Sequence, residues 1–117
     1  MKVNVLGTTY TIERKTYEEF DDFKKYGWVA CCDEVLKLIT IGRMDTFPNI
    51  ENEPKEFIDK LEKQNLRHEL IHAFLNESGL SSNASQSESW AKNEEMVDWF
   101  AIQSPKIFNL FKELKLL

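Results

Sequence analysis

The stretch Leu66-Arg67-His68-Glu69-Leu70-Ile71-His72-Ala73-Phe74 contains both histidines of the chain, and its reading decides the fold. On an α-helix, residues four apart lie about 40° apart around the axis and one turn apart in height, so His68 and His72 can each present a ring nitrogen to one metal ion. Glu69 sits about 100° from His68. It is therefore aimed beside such an ion and not at it, where it can hold a metal-bound water and accept its proton as a general base. The pattern is H-E-x-x-H, which points to zinc. The flanking Leu66, Leu70, Ile71, Ala73 and Phe74 predict a buried helix, the dry surroundings that a zinc site needs.

A catalytic zinc takes three protein ligands and keeps one position open. No third histidine exists, which excludes H-E-x-x-H-x-x-G-x-x-H and calls for a carboxylate from elsewhere. The segment Asn93-Glu94-Glu95-Met96-Val97-Asp98-Trp99-Phe100-Ala101 supplies one. Glu94, Val97, Asp98 and Ala101 share a helical face, and the small Val97 and Ala101 let that face approach the histidine helix. The expected ligands are thus His68, His72 and Glu94. Glu95, about 100° further round, is the weaker choice. Asp98, one turn after Glu94, is placed to accept the free ring N–H of a ligating histidine.

Working outward, Pro54 in a first turn and Gly79 beyond the last predict one long helix, with Phe57, Ile58, Leu61, Ile71 and Leu75 as its buried stripe and the histidines on the stripe's edge. Before it, Val3, Val5, Tyr10 and Ile12 alternate around Gly7-Thr8-Thr9 as a hairpin. Thr16 caps a short helix carrying Tyr17, Phe20 and Phe23. Trp28–Cys32 and Val35–Ile41 are two further strands. After it, the Ser- and Asn-rich stretch 79–89 reads as an exposed loop, and Ser85 with Glu88 resembles a capping box for a helix from about Ser87 to Gln103. Pro105 breaks that helix, and a last one runs from Lys106 to Leu116. Trp90 and Trp99 are expected in the core.

The chain has 117 residues and is 42% hydrophobic, enough for a single domain, 1–117, with a core that needs no staple. Its net charge of −5 argues against nucleic acid or an anionic membrane as partner. Cys31 and Cys32 are adjacent and cannot readily form a disulfide, so they read as small buried strand residues. No apolar run suits a signal peptide or a membrane span, and a cytoplasmic location is expected.

His68-Glu69-x-x-His72 followed by Glu94-x-x-x-Asp98 resembles the gluzincin pattern, and Asp98-x-Phe100-Ala101 resembles the second motif of the ImmA/IrrE-type metallopeptidases. Residues 66–74 with Glu77-Ser78-Gly79-Leu80 and Trp90 to Trp99 are similar to a group of small metallopeptidase-like proteins of phages and prophages. Val3 to Ile12 matches their opening as well. The resemblance implies a minimal gluzincin α+β fold: a small twisted, mostly antiparallel sheet packed on the H-E-x-x-H helix and a following glutamate-bearing helix. It implies a zinc-dependent metallopeptidase in a bacterial host's cytoplasm. The substrate would be a protein or peptide, by analogy a host or phage regulator. In such a fold the strand nearest the cleft pairs with an extended peptide; Val35–Ile41 is the expected strand. Larger gluzincins add a tyrosine or histidine over the reacting carbonyl. Here Tyr10, Tyr17 and Tyr26 are the only tyrosines and none has a clear claim. The alternative is therefore a zinc-binding phage accessory protein, catalytically weak or inactive, that holds a protein partner in the cleft.

Overall fold

A computed structural model describes residues 1–81 and 89–117. Strands β1 (Lys2–Val5) and β2 (Thr8–Lys15) form the expected hairpin, with Val5 opposite Thr8. Only Leu6 and Gly7 are left to turn, both at positive φ (50° and 92°), a turn whose twist matches that of the strands. Strands β3 (Ala30–Asp33) and β4 (Leu38–Gly42) form a second antiparallel pair, and β2 pairs with β4 in parallel. The result is a four-stranded mixed sheet in the order β1-β2-β4-β3, two of its three pairings antiparallel. With three α-helices among the described residues, the architecture is α+β.

The sheet is narrower at one point than the sequence suggests. Val35 and Leu36 are not in a strand but in an exposed turn, because Asp33 Oδ1 accepts both of their backbone N–H groups at 2.9 Å and bends the chain there. The strand that follows, β4, lies between β2 and β3 and has no free edge. The edge role assigned to Val35–Ile41 therefore passes to β3.

Helix α2 (Lys55–Glu77) runs as expected from Pro54 at its N-cap to a left-handed Gly79 (φ 83°). Ala73, Leu66 and Leu70 pack on Val5, Tyr10, Ile12, Ile39 and Ile41, which project alternately from one sheet face. Nearer its start, Ile58 and Leu61 cover Phe23, Met44 and Phe47. Phe57 and Phe74, assigned above to the buried surface, are about half exposed. The far end of α2 is held by one carboxylate: Glu77 accepts from Thr8 Oγ1 at 2.7 Å, Tyr10 Oη at 2.8 Å and Lys37 Nζ at 2.6 Å. These bonds fix the height of α2 over β2 and the β3–β4 turn.

Other elements depart from expectation for local reasons. Thr16 does not cap a helix; its N–H is bound by Glu19 Oε2 at 2.8 Å in a turn, and α1 starts later, at Asp21–Tyr26. Asn93 caps α3 (Glu94–Glu113) by accepting the Met96 N–H at 2.8 Å. The suggested Ser85–Glu88 box lies outside the described residues, as does most of the 79–89 loop. Pro105 does not break the chain into two helices but sits inside α3. Trp99 is exposed, since α3 turns Val97 and Ala101 inward instead, and Trp90 is exposed in a 3-10 turn before α3 that buries Ala91. Among the described residues no helix is long and apolar enough to cross a membrane.

The Lys37 ammonium, then the Thr8 and Tyr10 hydroxyls, hold the Glu77 carboxyl at about 2 against an ordinary 4.5. A pKa lowered by folding stabilises the fold above the unfolded value, and that stabilisation is lost as pH falls through the folded one. Wild type should accordingly exceed Glu77→Gln in stability at neutral pH, with the difference closing between about pH 4.5 and 2 in urea melts. A pH-independent difference would show that the Glu77 charge contributes nothing.

Candidate metal centre

The histidine face of α2 meets α3 beside a cavity bordered by β3. Small residues set the approach: Val97 and Ala101 of α3 are fully buried, and Val97 packs with Leu75, Ala91, Ile71 and Met96. This brings together three atoms from residues 68, 72 and 94. His68 Nε2 lies 3.1 Å from His72 Nε2 and 2.9 Å from Glu94 Oε2, and His72 Nε2 lies 3.1 Å from the same oxygen. Ligand atoms held about 2.0–2.1 Å from a tetrahedral ion are themselves about 3.3 Å apart, so the triangle is the right size with a few tenths of an ångström to spread.

Asp98 Oδ1 lies 2.7 Å from His68 Nδ1, within hydrogen-bond distance of that ring nitrogen and placed to orient the ring. The other ring nitrogen of His68, Nε2, faces His72 and Glu94. A proton can bridge one pair of these atoms. A metal ion bonds all three. The His68, His72 and Glu94 group could therefore hold a metal ion. The histidine side chains are about four-fifths buried, while those of Glu94 and Asp98 are 67% and 60% exposed, so one face of the trio stays open to an incoming group.

Glu69 lines the same cavity and is 7% exposed. Burial pushes its carboxyl up to about 7; the nearby His68 opposes this, and the charges of Glu94 and Asp98 add to it. A carboxylate poised near neutrality is suited to taking and returning a proton. Glu95 lies round the helix, beside Trp90, Asn93, Met96 and Trp99, and does not join the trio.

The cavity is about 970 Å³ and is walled by β3 on one side and by α2 and α3 on the other. Several of its residues escaped the motif reading. Asn65 and Asn76 lie three residues before His68 and four after His72, on the same face of α2, and helical spacing alone would have found them. Trp28, Asp33 and Glu34 enter only through the fold. Cys31 and Cys32 are free and half-buried beside the cavity; burial, with Glu69 nearby, raises both thiols, Cys32 to about 12, so neither is a thiolate at neutral pH. No family model, curated protein or solved structure matches the chain.

The role of Asp98 is open to direct measurement. Removing a carboxylate that orients a ligating imidazole weakens metal binding by about 10- to 100-fold. Asp98→Ala should give a folded protein that surrenders metal to a chelator at correspondingly lower concentration, while Glu95→Ala behaves as wild type. Equal titrations for all three proteins would remove Asp98 from the site.

Proposed function

We propose that the protein is a small zinc-dependent metallopeptidase of gluzincin type, with His68, His72 and Glu94 as ligands and a protein or peptide as substrate. The observation that carries the reading is the buried Glu69 beside the convergent trio. A site that only stabilised the fold would have no use for a base next to the ion. Two nitrogens and one carboxylate oxygen are also the donor set that suits zinc, and three protein ligands leave a coordination position free. When bound, zinc supplies Lewis acidity, polarising a carbonyl and acidifying water.

The chain's own residues then divide the remaining work. Edge strand β3 pairs with β4 along one side only and offers its other side to an extended peptide, which lays the peptide along the cavity wall. Glu69 takes a proton from the attacking water and returns it to the departing nitrogen, two transfers that a carboxyl with a raised pKa performs well. Asp98 keeps the His68 ring in one tautomer throughout. By the resemblance described above, the substrate would be a host or phage regulator and the setting a bacterial cytoplasm.

A second reading, a zinc protein that grips a peptide without cleaving it, is favoured by the fate of the tyrosines. Tyr10 is tied to Glu77, Tyr17 packs on Phe47, and no tyrosine is among the described residues lining the cavity. Turnover decides between the two. With a quenched-fluorescent peptide library as substrate, Glu69→Gln should retain zinc while losing at least about a hundredfold in rate, the usual size of a general-base contribution. Loss of zinc from that variant would make Glu69 a ligand. Zinc-loaded wild type that binds the peptides but cleaves none would establish the second reading.

A further inference from the structure

Glu94 and Asp98 are mostly exposed side chains, so burial does not place them; they reach the histidines only if α3 is held at the right height and rotation against α2. The structure contains a device suited to this, at the proline inside α3. Pro105 lies in the helix interior, has no N–H, and so cannot donate to the carbonyl of Ala101 four residues earlier. Ala101 is fully buried, and water does not reach it to replace the missing donor. The donor comes from the other helix. Arg67 Nε gives its hydrogen to Ala101 O at 2.6 Å, a short charge-assisted bond.

The placement of this bond matters. Arg67 immediately precedes His68, and Ala101 follows Asp98 by three residues and Glu94 by seven. A single hydrogen bond therefore joins the backbone of the carboxylate helix to the residue next to a histidine, one turn beyond the Asp98 contact. An ordinary helix would have spent the Ala101 carbonyl on its own ladder. Here the proline withholds the internal donor and leaves the carbonyl for α2.

We propose that Arg67 is a positioning residue: through the carbonyl that Pro105 leaves open, it sets the register of α3 against α2 and so delivers Glu94 and Asp98 to the metal site. This rests on the metal-site reading above, and the test keeps the two separable. Arg67→Met preserves the aliphatic stem and removes the donor; Arg67→Gln serves as a second variant should the first fail to fold. Zinc affinity is measured by chelator competition in wild type and in Arg67→Met. It is measured again in Glu94→Ala/Asp98→Ala, with and without the Arg67 change, and circular dichroism of the metal-free proteins monitors folding.

The expected result is a loss of about tenfold in zinc affinity in the wild-type background, comparable to removing a ligand's outer partner, and no further loss once both α3 carboxylates are gone. A merely structural role would reduce affinity by a similar factor in both backgrounds and would overturn the proposal. So would unchanged affinity in the wild-type background. Wild type that binds no zinc would overturn the metal site itself, a failure distinct from either.

Discussion

Two imidazole nitrogens and a carboxylate oxygen converge about 3 Å from one another, a spacing that a single metal ion could bridge. The rest of the structure can be understood as what keeps them there. The two nitrogens come from one rigid element, where the four-residue helical spacing sets their separation. The oxygen comes from another, whose placement has to be secured separately. Asp98 contributes by orienting the His68 ring through a 2.7 Å contact to Nδ1, which leaves Nε2 facing His72 and Glu94.

Helix α2 carries two loads on two faces. One face is apolar and fixes the helix on the sheet through Leu66, Leu70 and Ala73, with Glu77 clamping its end to β2 and the β3–β4 turn. The other carries Asn65, His68, Glu69, His72 and Asn76 into the cavity. Because a helix is stiff, the sheet contacts at residue 73 and the clamp at residue 77 also determine where the imidazoles point. Glu69, between the two faces, is drawn into the interior far enough for its proton affinity to rise. The cost of burying that carboxyl is what would suit it to the base role proposed above.

The sequence disclosed most where its signals were local and redundant. The span of α2 followed from Pro54, Gly79 and the period of its apolar residues, and the hairpin from alternation around Gly7. The identities of the clustered residues followed from the H-E-x-x-H spacing, the need for a third ligand and the shared face of Glu94 and Asp98. Long-range arrangement was less legible. Which strand forms the sheet edge depends on the order β1-β2-β4-β3, and nothing in Val35–Ile41 reveals that β2 will pair beside it. The Asp33 side chain, by capping two N–H groups, outweighed the β-propensity of Val35. Pro105 misled for a related reason: its penalty in a helix is real, but it assumes that the freed carbonyl finds no partner, and Arg67 is a partner 34 residues away. Trp99 remained outside because Val97 and Ala101 occupy the inward face of α3, which the tight approach to α2 requires.

The central claim is that this cluster takes one metal ion through two imidazoles and a carboxylate. X-ray absorption at the zinc edge, on protein loaded with zinc and freed of excess, tests it most directly. The account predicts one zinc per chain, with only nitrogen and oxygen neighbours at about 2.0–2.2 Å and an imidazole scattering pattern from two rings. A sulfur shell at about 2.3 Å would place the ion on Cys31 or Cys32 instead, and protein that retains no zinc would contradict the account outright.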